Sequence, residues 1–184
     1  AADYVEKDGL VIIEAESQNS TGWSANNSID GFTGNGYLVW SDVDYASAPS
    51  NDLINYKFEI TEAGTYRVQL RNRIAEGNNS TESNDSWLRF PDATMIAKRN
   101  GELAYANGGF GVPDGATIVP GSTNGWFKIY VNELNTWSWQ TTTWDNNSHN
   151  IFVEFSTPGI YNVQISGRSK GHAIDGIVLY QTSI

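Results

Sequence analysis

The sequence closes on Gly167-Arg168-Ser169-Lys170-Gly171-His172-Ala173-Ile174-Asp175-Gly176-Ile177-Val178-Leu179-Tyr180, an apolar strand that follows a polar loop. This strand carries one carboxylate, Asp175, near its start. The first apolar stretch, Leu10-Val11-Ile12-Ile13-Glu14-Ala15-Glu16, ends on two more. Side chains two positions apart on a strand share a face, so Glu14 and Glu16 point the same way. If the first and last strands pair antiparallel, the end of one meets the start of the other, and the three carboxylates converge.

Three converging carboxylates predict a bound cation, because like charges at short range cannot all stay ionised without one. Hard oxygen ligands of this kind suit calcium. We therefore expect Glu14, Glu16 and Asp175 to hold a structural calcium ion. In the alternative, the two glutamates are solvated and Asp175 pairs with Arg168 or Lys170.

Length and charge limit the class of protein. A chain of 184 residues is long enough for one domain with a sizeable core, and we expect residues 1–184 to form a single domain. The formal net charge of −10 argues against binding to nucleic acid or to an anionic membrane surface. No apolar run approaches the roughly 18 residues that a membrane span needs. The absence of Cys excludes disulfides, thiolate metal sites and a cysteine nucleophile.

Alternating apolar and polar residues predict an all-β fold of about ten strands, a two-sheet antiparallel β-sandwich of the jelly-roll type. The stretches 53–60 and 65–73 both alternate and are joined by a short turn, which predicts a hairpin. Residues 59–69 are echoed by residues 154–164, with Glu, Gly, Tyr, Val and Gln at matching positions, so the same unit is expected in each half. Residues 91–125 are rich in Gly and Pro and predict a long loop excursion.

Aromatic side chains are unusually frequent, with seven Trp and nine Tyr, and predict a contact surface. If consecutive strands run antiparallel, the loops at 17–35, 61–63, 91–125, 141–148 and 168–172 gather at the end where the carboxylates meet. The contact residues expected there are Trp23, Trp126, Trp137, Trp139, Trp144, Arg168, Lys170 and His172. The alternative for each tryptophan is a place in the core or in a cross-strand aromatic pair.

Five segments follow one another along the chain: Ile13-Glu14-Ala15-Glu16, Gly36-Tyr37-Leu38, Ala63-Gly64-Thr65-Tyr66, Trp137-Ser138-Trp139-Gln140-Thr141 and Gly171-His172-Ala173-Ile174-Asp175. In this order they resemble the non-catalytic carbohydrate-binding modules of families 6, 35 and 36. The resemblance spans nearly the whole chain except residues 91–125. It implies a β-jelly roll with a structural calcium at Glu14, Glu16 and Asp175. It also implies a sugar cleft in loops at one edge, where Ala173 stands in place of the usual Asn.

Such modules are appended to secreted enzymes that degrade polysaccharides. The resemblance therefore implies a secreted, extracellular domain that binds a polysaccharide or oligosaccharide and has a catalytic domain attached to it. We expect a monomer with no catalytic residues of its own, since no motif pairs two carboxylates and no Gly-x-Ser-x-Gly or His-Glu-x-x-His occurs. Two other classes stay open: a small catalytic β-sandwich (glycoside hydrolase or polysaccharide lyase), and an adhesion or scaffold domain that binds protein.

Overall fold

The computed structural model describes residues 1–183, and these form strands and loops with no α-helix and one 3₁₀ turn at Ala15–Ser17. The strands are β1 (Tyr4–Val5), β2 (Leu10–Glu14), β3 (Trp23–Asn26), β4 (Tyr37–Trp40), β5 (Leu53–Ile60), β6 (Gly64–Ile74), β7 (Asp85–Arg89), β8 (Thr94–Arg99), β9 (Glu102–Tyr105), β10 (Phe127–Tyr130), β11 (Thr142–Thr143), β12 (His149–Phe155), β13 (Gly159–Gly167) and β14 (His172–Thr182). The structure has fourteen strands where about ten were expected, because several strands are too short to show alternating apolar and polar residues in the sequence. Within residues 1–183 no helix is long and apolar enough to cross a membrane.

Hydrogen bonds join the strands into one curled sheet rather than two separate sheets. The path runs β1-β5-β13-β7-β10-β11-β12-β6-β14-β4-β3, with β2 beside β14 and the β8–β9 pair beside β12. Strands far apart on this path face each other across the core. The rings of Phe58 on β5 and Phe155 on β12 lie 5.6 Å apart between centroids, and Phe90 also contacts both. The core thus lies inside the curl.

The expected hairpins are wrong, although the internal echo is real. Strand β5 pairs with β13, as Phe58 does with Tyr161, and β6 pairs with β12, as Tyr66 does with Val153. The curled sheet thus has two arms, one that contains β5 and β13 and one that contains β12 and β6. The turn after β5 and the turn after β12 each connect one arm to the other. Alternation reports which face of a strand is buried but not which strand lies beside it. The two copies of the echoed unit pack against each other through these pairings.

The two ends of the chain meet as predicted. Strand β14 pairs antiparallel with β2, and Gly176 lies opposite Glu14. On its other side β14 pairs with β6, where the register shifts between Ile174 and Gly176, so that Asp175 sits at a bulge. Bulges re-aim side chains, and they are common beside functional sites. The convergence of Asp175 with the end of β2 follows from this pairing.

The expected grouping of loops holds only in part. The 168–171 loop precedes β14 and lies at the end where β2 finishes, as expected. The turn after β5 lies at the opposite end, because Thr65 pairs with Thr182 and the carbonyl of Ala63 accepts a hydrogen bond from Gln181. The 91–125 excursion contains β8 and β9, which extend the sheet outward from β12. The segment is therefore not only a loop, because it also contributes two strands to the sheet.

Candidate functional site

The three predicted carboxylates assemble around a single loop, residues 33–35. The backbone N–H of Thr33 donates to both carboxylate oxygens of Asp175, each at 3.1 Å, and the Thr33 hydroxyl donates to Glu14 Oε2 at 2.8 Å. The N–H of Asn35 donates to Glu16 Oε1 at 2.8 Å. Between them, Gly34 has φ +62°, and a side chain there would collide with Glu16. The loop therefore needs glycine at this point to approach the carboxylates.

The charges of this cluster are only partly balanced. Burial raises the pKa of Glu14, and the neighbouring charges of Glu16 and Asp175 raise it further, against the Thr33 hydrogen bond and the charge of Arg71. Arg71 Nη1 donates to Asp175 Oδ2 at 2.6 Å, so the alternative partners Arg168 and Lys170 were wrong. Glu16 Oε2 is buried and lacks a hydrogen-bond partner. Buried carboxylate oxygens normally find a partner, so this oxygen is unsatisfied.

The carboxylate cluster does not have the geometry of a metal-binding site in this structure. Within residues 1–183 no three His, Cys, Asp or Glu side chains stand in a geometry that could hold a metal ion. The donor set still fits a hard cation in two respects: the Oε2 atom of Glu16 has no hydrogen-bond partner, and burial, together with the charges of Glu16 and Asp175, raises the pKa of Glu14. Both observations concern Glu14 and Glu16, two of the three carboxylates predicted from the sequence to bind the cation.

A groove of about 740 Å³ begins at this cluster and runs over the outer face of the sheet. Val178 on β14 lies opposite Ile12 on β2 and opposite Gln69 on β6. All three alternate with buried residues, so they point away from the core. The groove is lined by Leu10, Ile12, Ile13, Glu14, Thr33, Gln69, Arg71, Trp139, Asp175, Gly176 and Val178. It therefore has an apolar floor with a charged and polar end.

Trp139 stands at the edge of the groove and is the one tryptophan in residues 1–183 that is largely exposed, at 44%. Its backbone is held firmly: Gln69 Nε2 donates to its carbonyl at 3.1 Å, and Thr141 Oγ1 donates to the same carbonyl at 3.2 Å. Asn72 Nδ2 donates to the carbonyls on both sides, those of Ser138 and Gln140, each at 3.0 Å. The exposed ring is thus mounted on a fixed backbone.

His172 lies inside the protein, where it helps to hold the backbone segment that carries Trp139, and its side chain does not reach a ligand. Its side chain is completely buried, with Nδ1 2.6 Å from the Ser86 hydroxyl and Nε2 2.7 Å from Asn72 Oδ1. Asn72 in turn holds the segment that carries Trp139. The expectation that His172 contacts a ligand was therefore wrong. The glycines that flank its loop suggested exposure, but the ring turns inward where β14 begins.

Acid should unfold the protein partly through His172. Burial lowers the pKa of His172 to about 3, whereas the unfolded chain has a value near 6.5. Between these values only the unfolded chain takes up the proton, so the free energy of unfolding falls as pH drops from 6.5 towards 3, by up to about 1.4 kcal/mol per pH unit. Urea unfolding at pH 6.5, 5.5 and 4.5 measures this slope. His172→Gln keeps the carboxylate contributions and should show a shallower slope; equal slopes would contradict the assignment.

Two of the predicted tryptophans belong to the core. Trp23 is 2% exposed and packs edge-on against Trp40 at 5.3 Å between centroids. Trp126 is 3% exposed and lies beneath the guanidinium of Arg89 at 4.4 Å. Their polar neighbours in sequence suggested loops, but Trp23 begins a short strand and Trp126 directly precedes one. Neither ring is available to a ligand in this structure.

Trp137 is half-buried between the cluster and the core. Its ring packs against Tyr37 at 5.0 Å, and its indole N–H donates to the carbonyl of Asp30 at 3.0 Å. The guanidinium of Arg71 lies 5.6 Å from the same ring. Trp137 therefore helps to fix Arg71 at the polar end of the groove, although it does not line the groove.

The remaining predicted residues lie away from the groove. Arg168 binds the buried carboxylate of Asp85 and the carbonyl of Ala46. Lys170 is exposed, and Trp144 is half-buried in a different cavity. The structure thus brings only Trp139 of the eight to the groove. The groove residues missed from the sequence include Ile12, Gln69 and Val178.

Two solved structures share this fold over most of the chain. The structure is similar to a GH26-CBM35 β-(1,4)-mannanase from Podospora anserina, with 16% identity and a TM-score of 0.55 over 97% of this chain and 29% of that one. A cycloisomaltooligosaccharide glucanotransferase from Paenibacillus sp., complexed with cycloisomaltoheptaose, matches with 17% identity and a TM-score of 0.51 over 90% of this chain and 17% of that one.

A family 6 carbohydrate-binding module from Clostridium cellulolyticum, complexed with xylose, matches with 13% identity and a TM-score of 0.43 over 92% of this chain and 96% of that one. At such identities the similarities to the mannanase and to the glucanotransferase show the fold alone. The chain spans less than a third of either of the two enzymes. No protein-family model and no curated protein sequence matches it.

Proposed function

We propose that this chain is a non-catalytic carbohydrate-binding module that holds a polysaccharide or oligosaccharide in the groove beside Trp139. The observation that carries the proposal is the exposed Trp139 ring at an apolar groove that ends in Gln69 and Arg71. Sugars present apolar C–H faces and a rim of hydroxyls. A flat indole takes the face, and a few placed polar groups take the rim.

The polar end of the groove is preorganised for hydroxyl groups. Arg71 Nη1 is fixed by Asp175 and by the carbonyl of Gly31, each at 2.6 Å, so the guanidinium cannot swing freely. A guanidinium carries five N–H donors, and these two bonds use only part of that set. Fixing a recognition group before binding lowers the entropy lost when a ligand arrives.

A calcium ion is the second part of the proposal. Glu14, Glu16 and Asp175 would hold it, with the loop at 33–35 around them. The ion would offset the burial and the neighbouring negative charges that together raise the pKa of Glu14. The partnerless Glu16 Oε2 supports this assignment. Because the loop also borders the groove at Thr33, the ion would stabilise the polar end of the binding surface.

Binding rather than catalysis is supported by the carboxylates that line the groove. A glycosidase needs two carboxyl groups on opposite sides of the scissile bond. Glu14 on β2 and Asp175 on β14 instead both contact Thr33, and Asp175 also pairs with Arg71. We propose that the chain is secreted and monomeric and is attached to a glycan-degrading enzyme. Similarity to parts of two much longer enzymes that act on glycans supports that arrangement.

Affinity gel electrophoresis tests the proposed function. The protein is run in native gels containing agarose, carrageenan, xylan or alginate, beside a protein that does not bind glycans, and a glycan array extends the panel. We expect slower migration in at least one polysaccharide and a matching signal on the array. Unchanged mobility in all four gels together with a blank array would reject the proposal and favour a protein-binding scaffold.

A further inference from the structure

Trp144 adopts a backbone conformation that bulky residues rarely take, with φ +75°. Its carbonyl accepts hydrogen bonds from Tyr130 Oη and from the N–H of Asn147, each at 3.1 Å. Its ring stacks on the His149 ring at 4.8 Å between centroids and 11° between planes. Unfavourable backbone conformations persist only where the surroundings hold them, and they cluster at functional sites. The turn therefore fixes this ring in a definite place.

His149 forms a rigid support under the indole. It is buried, and its Nδ1 lies 2.5 Å from the carbonyl of Asn147, a residue of the same turn. The stack covers one face of the Trp144 ring, which stays half-exposed. Trp144 is thus held as rigidly as Trp139, although less of its ring is exposed.

A cavity of about 390 Å³ opens beside this ring. Its lining combines Trp144 with the side chains of Glu102, Thr117 and Asn147. Arg99 Nη1 donates to Asn147 Oδ1 at 2.9 Å, which leaves the amide NH₂ of Asn147 to donate to a ligand. The volume lies within the range of small-ligand sites, about 300–1,000 Å³. An aromatic face with a carboxylate and an amide at its rim is the combination that suits one or two sugar rings.

The cavity and the groove lie on opposite faces of the same sheet. Along β12, His149 and Ile151 face the core side, and residues between them face outward. Ile151 pairs with Val68 on β6, next to Gln69, which points outward into the groove. The Trp144 cavity therefore opens on the inner side at the end of the curl, and the groove on the outer side. A ligand in one does not block the other.

We propose that the Trp144 cavity is a second carbohydrate-binding site, independent of the groove. One wall comes from β9, within the 91–125 segment to which the family resemblance does not extend. This proposal rests on the proposed function for the class of ligand. Two sites on opposite faces let one chain contact two polysaccharide strands, and such bivalency raises avidity without new contacts.

The same four-polysaccharide gels and glycan array test the second site with Trp144→Ala, Trp139→Ala and the double variant. We expect each single variant to keep partial retardation, with an apparent Kd about tenfold or more above that of the wild type, and the double variant to migrate freely. Because Trp144 packs against the core, Trp144→Ala is paired with Glu102→Ala/Asn147→Ala, which changes only the rim. Glu133→Ala, an exposed acid outside both sites, is the matched control.

The outcomes separate the two proposals. If Trp144→Ala and the rim variant both bind like the wild type while Trp139→Ala does not, the second site is rejected and the groove stands. If Trp139→Ala binds like the wild type while both Trp144-site variants lose binding, the groove is rejected and the second site stands. If the wild type itself migrates freely in every gel and binds nothing on the array, both are rejected.

Discussion

Replacing Trp139 by Ala should raise the Kd for a polysaccharide that the wild-type protein binds about 30-fold. Trp139 supplies the exposed ring of the groove, and its backbone is fixed on both sides by Asn72, so the ring is ordered before a ligand arrives. Tryptophan is among the residues whose truncation in a binding surface most often costs about 2 kcal/mol or more, which corresponds to this factor. Affinity gel electrophoresis over a series of polysaccharide concentrations measures the Kd.

Two control variants show whether the ring itself is responsible. Trp139→Phe keeps an aromatic face and should retain most of the affinity. Phe110→Ala removes another aromatic side chain that is largely exposed, at 56%, but lies outside the groove, so it should bind like the wild type. Equal weakening by Trp139→Ala and Phe110→Ala would mean that the effect is not specific to the groove.

Calcium should raise the melting temperature of the protein by about 10 °C over that measured in EGTA. A ligand that binds only the folded state at 1,000 times its Kd stabilises by about 4 kcal/mol. For a domain of this size, each kcal/mol shifts the melting temperature by roughly 2–4 °C. Thermal unfolding followed by circular dichroism, in 1 mM CaCl₂ and in EGTA, measures the difference. An unchanged melting temperature would indicate that Arg71 alone balances the cluster.

Glu16→Gln gives this test its control. Glu16 Oε2 is buried without a partner, so the charge of Glu16 is unfavourable when no cation is present. In EGTA the variant should therefore be at least as stable as the wild-type protein. In calcium it should gain little, because a ligand has been removed. A calcium response equal to that of the wild type would exclude Glu16 as a ligand.

The pairing of the chain ends could be predicted from sequence because two local rules agreed. The first apolar stretch forms a strand that ends at Glu14, and its antiparallel partner brings Asp175 to that end. The prediction that Glu16 shares a strand face with Glu14 was wrong, because Glu16 lies in the 3₁₀ turn that follows the strand. Neighbours in the sheet could not be predicted in the same way. Strands β5 and β6 follow each other in sequence but lie on different arms of the curl. Apolar and polar residues alternate in β5 and β6 in the same way whether the two strands pair as a hairpin or lie on different arms of the sheet.

The site was harder to predict because burial depends on tertiary contacts. His172 and Trp23 have polar or glycine neighbours in sequence, yet both are buried. The groove did leave one signal in the sequence. In β2, Leu10 and Ile12 alternate with the core residues Val11 and Ile13, so both faces of the strand are apolar. A strand with two apolar faces at the edge of a sheet indicates a covered or a binding surface.

The indole N–H signals in a ¹H–¹⁵N NMR spectrum test the central claim most directly. The chain has seven tryptophans, and single Trp→Phe variants assign their signals. Titration with oligosaccharides of the polysaccharide that retards the protein should shift the Trp139 signal. The signals of the buried Trp23 and Trp40 should stay in place. Saturating ligand that leaves the Trp139 signal unmoved would contradict the account.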